Sequence, residues 1–471
     1  MNIMSQLWNY SKLSYHLYSL SVEYSKHASV NTEESYRLID IIQTDVIQCG
    51  AICIKFVQWL IPILDNTYIE GDDKPHWFIS LENLYENCPI HSNEFSKEIY
   101  KNDFKENLDD DYIIVDVIGS GSIGQVYKIQ NIHTNDMCAL KILHPNVRNE
   151  LALFKKLLAI GLWIPCLNRK LYGLVPVNYQ QFVDNFEEQI NLIYEANYLS
   201  RMKYNYRNNP SVIIPELIKF SENCIVMSFE DGQIMDKMDI SDYQKTKIIS
   251  LLYGFISSNQ LFYDILHNDI HKANWKVRQI TDNQYAIVVY DFGFCYKKTL
   301  RDRPMIHMLT DMFEETGTES YDEDKVIQMV TYFCNDNSEE FKLSAATYIP
   351  DNFNCDPRTI FKLTIDVCNN TGHIVDASAI QIIIVSIQCY KYLKLANINN
   401  GNNLRNDGYR TYRERYLDLC NIYETYESFD EYVAYMKNKL NKLNIEVTDM
   451  FDVIKDNDTV TDEVKALLKF D

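Results

Sequence analysis

Basic residues are in deficit in this chain: forty-five Lys and Arg stand against sixty-six Asp and Glu, a formal net charge of −21. That deficit argues against nucleic acid and anionic lipid as partners, since both repel such a surface unless basic groups are locally gathered. The densest basic runs, LNRKLYG (167–173) and YKKTLRDRP (296–304), are short and read as solvated surface. A C-x-x-C pair is also lacking among the twelve cysteines, the closest being Cys49 and Cys53, so zinc is not indicated. No apolar run reaches the ~20 residues of a bilayer span. The longest, LLAIGLWIPCL (157–167) and AIQIIIVSI (379–387), fall short, and no transmembrane span is expected. The opening MNIMSQLWNYSKLSYHLYSL has neither the basic start nor the apolar stretch of a secretory leader. Free thiols in a reducing, intracellular and cytoplasmic setting are therefore expected, with peripheral membrane contact left open. With 46% hydrophobic residues and only 14 Gly and 11 Pro, the chain reads as well packed, and 471 residues predict two or three lobes rather than one core.

Residues 1–110 read as a helical extension. Apolar positions recur at threes and fours through IDIIQTDVIQCGAICIKFVQWLIPIL (39–64), followed by a turn-rich break at EGDDKPH. The period changes from 111: DYIIVDVIG, QVYKIQNI and MCALKIL are short runs rich in β-branched and aromatic residues, and they predict an antiparallel meander. Helical pattern returns over 146–205. A further strand pair is expected from SVIIPEL and CIVMSFE, and helices predominate beyond 240 except around YAIVVYDFG, with NINNGNNLRNDG (397–408) a surface loop. The expected domains are 1–110, then 111–232 with a helical insertion at about 146–185, then a helical 233–471.

Within the meander, Gly119, Gly121 and Gly124 are spaced G-x-G-x-x-G. A dinucleotide-binding turn must open a helix, whereas strand residues follow Gly124, so that reading is excluded. Glycines at a hairpin tip instead let backbone amides approach a phosphate with no Cβ in the way. Ile118, Ser120, Ser122 and Val126 complete the candidate loop. Fifteen residues after Val126 comes Lys141, two beyond Ala139, on the third strand and placed to reach nucleotide phosphates. Further on, HNDIHKAN supplies Asp269 and Asn274, and DFG supplies Asp291. Asp269 would accept a substrate hydroxyl proton, and Asn274 and Asp291 would give magnesium its hard oxygen ligands. Lys141 needs an acidic partner, for which Glu195 is favoured over Glu187 and Glu188. Set against this, the glycines alone could form a plain tight turn, Asp269 and Asn274 could merely shape a loop through Asx turns, Asp291 could cap one, and Lys55 and Gln58 could lie on a solvated helix face. His267 reads as a brace rather than a reacting group, and His271 has no second ligand nearby.

Motif by motif, the chain resembles the UbiB, or aarF-domain-containing, family of atypical protein-kinase-like proteins. KFVQ, with Lys55 and Gln58, is similar to that family's K-x-G-Q. LYENCP (Leu84 to Pro89) echoes its L-x-D-x-x-P, SIGQV matches its nucleotide loop, His144 and Pro145 match its H-P, and Glu195 with Ala196 its E-A. HNDIHKAN resembles H-x-D-x-H-P-G-N. The sequence departs at Val57, where the family has glycine, at Gln189 and Asn191, where it has E-x-D, and at Gly119 and Gly121, where it is alanine-rich. The resemblance implies an α+β, bilobal protein-kinase-like fold with an N-terminal helical extension and ATP and Mg held between a β-rich small lobe and a helical large lobe. It also implies hinge residues Met227, Ser228 and Phe229 followed by Gly232, and a regulatory segment carrying Lys55 and Gln58 that lies over the site. The implied activity is phosphoryl transfer to a protein, lipid or small molecule, or ATP hydrolysis. A nucleotide-gated lipid- or partner-binding module, or a scaffold without turnover, is the alternative. No A-P-E follows DFG within forty residues, which weakens the case for a peptide substrate.

Overall fold

The structure is a computed structural model that describes residues 3–398 apart from 28–31, 69–73, 86–87, 89, 208, 262, 264, 282–283, 300–301, 303–304, 307, 310–321, 351–352 and 354–356. Pro89 of the LYENCP stretch and nearly all of the expected loop at 397–408 lie outside these residues. Helices and sheets both contribute, an α+β composition. The chain divides into two compact units: Met1–Ile193, Ile218–Phe229 and Phe361–Val375 form the first, and Tyr194–Leu217, Glu230–Ile360 and Asp376–Asp471 the second.

The first unit begins with α1 (Ile3–His27), α2 (Glu33–Cys49) and α3 (Ala51–Tyr68). Helix α1 packs Leu13, Tyr10 and Leu20 into a core cluster yet also buries polar side chains. Gln6, Asn9 and Glu23 are buried, whereas Met4, Trp8, Tyr15 and Tyr18 face solvent. Polar partners make this tolerable: Asn9 donates to the Gln48 carbonyl at 2.6 Å, and His16 Nδ1 lies 2.6 Å from the buried Asp45 carboxylate. The apolar period read through 39–64 as one run breaks at Gly50, whose φ of 106° separates α2 from α3. Periodicity cannot register that break, because both helices present apolar faces on either side of it. A Cβ at Gly50 would stand 2.5 Å from Glu150 Oε2. The buried carboxylate of Glu150, on α7 (Val147–Trp163), thus sits at the start of α3; burial raises its pKa, and the nearby backbone N–H groups of Ala51 and Ile52 offset part of that rise. After α4 (His76–Glu82), α5 (Asn93–Phe104) and the single turn α6 (Leu108–Asp111) comes the meander: β1 (Tyr112–Ser120), β2 (Gly124–Asn131) and β3 (Met137–Leu143). Strands β5 (Leu217–Phe220) and β6 (Cys224–Ser228) complete a sheet of order β1-β2-β3-β6-β5. Alternation gives the sheet a core face, where Tyr127, Ile129, Leu140, Ile142 and Val226 pack with Tyr100 of α5.

Residues 147–205 are helical as expected: α7 is followed by α8 (Pro165–Leu174), α9 (Tyr179–Gln189) and α10 (Leu192–Asn205). The expected strand pair at 211–230 is corrected. Val212–Ile213 (β4) pairs parallel with β9 (Gln284–Val289) in the second unit, and it is Leu217–Phe220 that meets Cys224–Ser228. Pro215 lacks the N–H a ladder requires, and it separates the two short strands. The second unit also holds more strand than helical patterning suggested. Trp275–Thr281 (β8) pairs with β9, and Ile265–His267 (β7) pairs with Cys295–Lys297 (β10). Helices Asp242–Leu261 (α11), Glu323–Cys334, Glu339–Ala346 and Ala377–Ile398 belong to the same unit. Trp275 is 6% exposed and meets Tyr392 edge-on.

Candidate functional site

In the first unit the residues expected at a nucleotide lie on the sheet face opposite the core. Register pairs Gly119 with Val126, Val126 with Lys141, Lys141 with Ile225, and Ala139 with Met227. Directly opposed residues share a face, as do residues two apart, so Gly119, Val126, Ala139, Lys141 and Met227 form one surface. Lys141 is 5% exposed there. Phe229 N–H bonds the Met137 carbonyl, and the Lys128 ammonium sits over its ring. Ile118 is 45% exposed, at an irregularity between Val117 and Gly119.

At the hairpin tip the three glycines differ in their reasons. A Cβ on Gly124 would come 2.9 Å from the Ile142 carbonyl oxygen, so close strand approach demands glycine there. At Gly119 a Cβ would meet nothing within 4 Å, and at Gly121 only ordinary contact. None of the three has a positive φ. Their missing side chains leave space rather than permit a strained backbone. The turn closes with Gly121 N–H on the Gly124 carbonyl at 2.9 Å.

Gln58 is 7% exposed and donates to the Leu84 carbonyl at 2.9 Å, so a solvated face is not its place; two stretches singled out in the sequence, KFVQ and LYENCP, meet at this bond. Lys55, one turn earlier on α3, is half-buried. Gln189 is 5% exposed at the end of α9, and neither atom of its side-chain amide has a hydrogen-bond partner among the described residues.

In the second unit HNDIHKAN folds on itself. Asn274 Nδ2 donates to the Asp269 carbonyl at 2.8 Å, and Asn274 N–H donates to the His271 carbonyl. With its amide nitrogen committed, Asn274 keeps Oδ1 for another partner. His271 Nε2 lies 3.6 Å from Asp269 Oδ1. His267 is 2% exposed: its Nε2 bonds the Tyr290 carbonyl at 3.0 Å, and its Nδ1 accepts from Asp269 N–H at 3.3 Å. Burial pushes its pKa down, so a neutral ring braces the loop. Asp291 has φ 53°, a left-handed conformation unusual outside glycine, and its Oδ1 accepts from Gly293 N–H. Glu195 is 3% exposed, and a Cβ built on Gly293 would stand 3.0 Å from its Oε2. Glu195, Asp291 and Asp269 gather around Cys295, whose thiol is raised first by burial and then by those three carboxylates in that order. Nothing in the spacing of Cys295 pointed to this place.

Lys141 and Glu195 fall in different units. The structure thus assembles Glu195, Asp269, Asn274 and Asp291 as one cluster, and Gly119, Val126, Ala139, Lys141 and Met227 as another. Two residues had no individual role assigned from the sequence: Gln125, in the hairpin, and His91, before α5 and bonded to Gln125. The matched H-P histidine, His144, joins them.

A family model described as the ABC1 atypical kinase-like domain matches residues 83–329, just over half of the chain. The mitochondrial ABC1 family protein YPL109C of Saccharomyces cerevisiae is 29% identical over 238 residues, 44% of this chain and 35% of that protein. The chloroplastic protein ACTIVITY OF BC1 COMPLEX KINASE 3 of Arabidopsis thaliana is 25% identical over 186 residues, 37% of this chain and 25% of its own length. The chain therefore matches only about a third and a quarter of these two relatives. Both bear organellar names, in contrast to the cytoplasmic setting expected from sequence. Among solved structures, the Rv3197–erythromycin complex from Mycobacterium tuberculosis aligns at TM-score 0.39 and 15% identity, over 60% of this chain and 80% of that one. Among the described residues no helix is long and apolar enough to cross a membrane.

Proposed function

We propose, since the chain belongs to the ABC1 atypical kinase-like family, that it is an ATP- and magnesium-dependent enzyme that passes the terminal phosphoryl group to a protein, lipid or small-molecule hydroxyl, or to water. The observation that carries this reading is the folding of HNDIHKAN, in which Asn274 Nδ2 is spent on the Asp269 carbonyl, so that Asn274 presents Oδ1 in the same cluster as the Asp291 carboxylate. Such donors suit magnesium, which takes one or two protein oxygens and completes its shell with phosphate and water. Bound there, the ion would offset the charge of the nucleotide phosphates. Lys141 would hold the α and β phosphates, the hairpin from Ile118 to Val126 would cover them with backbone donors, and Ala139, Met227 and Phe229 would border the base. Asp269 would orient the attacking hydroxyl and accept its proton. Glu195 would act as the acidic partner of Lys141. The α3 segment with Lys55 and Gln58 would regulate access.

The test is magnesium-dependent turnover of ATP by the purified chain, with labelled phosphate followed into protein, lipid and free phosphate. Turnover lost in Asp269→Asn and in Asp291→Asn supports the reading; turnover indifferent to both removes it. A nucleotide-gated binding module is the second reading, and the missing A-P-E bears only on whether the acceptor is a peptide. ATP binding without any turnover would select it.

A further inference from the structure

The glycine hairpin is tied to the N-terminal segment by a chain of hydrogen bonds that has one consistent proton arrangement. His144 Nε2 lies 2.9 Å from the Gly121 carbonyl, with the Ser120 hydroxyl a second neighbour at 3.4 Å. A carbonyl only accepts, so His144 carries its proton on Nε2, and in a neutral ring its Nδ1 is an acceptor. His91 Nδ1, 2.9 Å away, must then be the donor. That makes His91 Nε2 an acceptor, served by the Ser96 hydroxyl at 2.9 Å, which in turn accepts from the Tyr127 hydroxyl at 2.7 Å. Protons thus point one way, from Tyr127 through Ser96, His91 and His144 to Gly121. Gln125, fully buried, fixes the His91 backbone from both sides: it accepts His91 N–H at 2.8 Å and donates to the His91 carbonyl at 3.3 Å.

The consequence for the loop follows from peptide geometry. His144 takes the Gly121 carbonyl with its ring and the Ile123 carbonyl with its backbone N–H, at 2.9 Å each. In a trans peptide the carbonyl and the following N–H point in opposite directions, and the chain has no cis peptide among its described residues. Drawing the Gly121 carbonyl onto His144 therefore turns Ser122 N–H away from it, in a residue that is itself 6% exposed at the centre of the tip.

We propose that His144, backed by His91, is a positioning residue that aims the Ser122 amide at a nucleotide phosphate, so that the segment carrying His91 sets the phosphate affinity of the hairpin. This rests on the nucleotide reading above. The relay couples phosphate binding to a residue 53 positions from His144, outside the meander itself.

Calorimetric titration of the whole chain with Mg–ATP and, separately, with adenosine tests it. His144→Ala should weaken ATP about tenfold, the scale of one hydrogen bond to a charged group, while adenosine affinity and the melting temperature stay close to wild type. His144→Gln, which keeps a donor near the Nε2 position, should recover most of the loss, and His91→Ala should fall between. Equal losses for ATP and adenosine, or a folded His144→Ala with wild-type ATP affinity, would overturn the proposal while leaving nucleotide binding intact. A wild-type chain that binds adenosine and ATP equally, or neither, sinks the nucleotide reading and the proposal together. Imidazole nitrogen spectra of the ligand-free protein add an independent check: His144 protonated on Nδ1 rather than Nε2 also overturns it.

Discussion

In the first unit a backbone group is held by a side chain: the Gly121 carbonyl is drawn to the ring of His144, which leans on His91. In the second unit the arrangement is reversed, and the functional side chains are held by backbone atoms. Asn274 is anchored on the Asp269 carbonyl, His267 on the Tyr290 carbonyl, and Asp291 on Gly293 N–H. A scaffold of the second kind tolerates loss of the side chain's chemistry, because the peptide that holds its neighbour is retained. A scaffold of the first kind loses its aim when the side chain goes, even where the fold survives, because the side chain itself positions the peptide.

The largest expected effect breaks the second unit's chemistry without its fold. Asp269→Asn leaves the carbonyl that holds Asn274, so turnover should fall by about 10²–10⁴ with the melting temperature near wild type. Steady-state kinetics paired with thermal melts checks this, and a large drop in melting temperature would mean the carboxylate is structural.

Next come the glycines. Gly124→Ala places a Cβ 2.9 Å from a backbone oxygen, and overpacking of this kind costs about 1–3 kcal/mol. Gly293→Ala meets a side-chain carboxylate at 3.0 Å, which can shift, so it should cost less stability and more activity. Gly119→Ala, with nothing within 4 Å, should be neutral in denaturant unfolding and show itself only in nucleotide affinity.

Acid separates the relay from the brace. Burial lowers His91 from 6.5 to about 4, with the His144 ring adding to the effect. His144 is lowered too, against the pull of the Gly121 carbonyl. Both bind protons more weakly in the folded chain than in the unfolded one, so stability is fully present above about 6.5 and is lost as pH falls toward about 4. His267 of the second unit, also lowered by burial, acts in the same direction. Replacing His91 and His144 by Asn and Gln should flatten part of the profile in urea melts between those pH values, leaving the His267 share. An unchanged slope would mean that the relay histidines are charged when folded.

The smallest effect concerns Gln189, whose buried amide lacks a partner among the described residues. Gln189→Leu should leave stability unchanged or raise it by about 1 kcal/mol, since an unsatisfied polar group costs more than it returns. A loss of that size instead would place a ligand or water on the amide.

What the sequence made legible were local spacings. The meander, the glycine tip and the strand of Lys141 follow from alternation and turn residues over short stretches, and Asp269, Asn274 and Asp291 from fixed offsets in one loop and the strand after it. Strand β8 escaped notice because its alternation lasts only from Trp275 to Arg278 before Gln279 ends it, too short a run to mark a strand. The parallel pairing of Val212 with Ile287 depends on residues far apart in the chain. Gly50 hid in an unbroken apolar period, since only a dihedral angle marks the end of the helix. His91 escaped for a different reason: its partner is another histidine 53 residues on, beyond two helices and the whole meander, and no pattern of one residue type carries that pairing.

The placing of Trp275 gives the chain a built-in optical label. It is the sole tryptophan of the second unit, follows Asn274 directly and is almost fully enclosed, whereas Trp8, Trp59, Trp77 and Trp163 all belong to the first. Replacing Trp275 by Phe and subtracting spectra would isolate the emission of one unit in an otherwise unmodified protein. The order in which the two units melt could then be read by fluorescence alone.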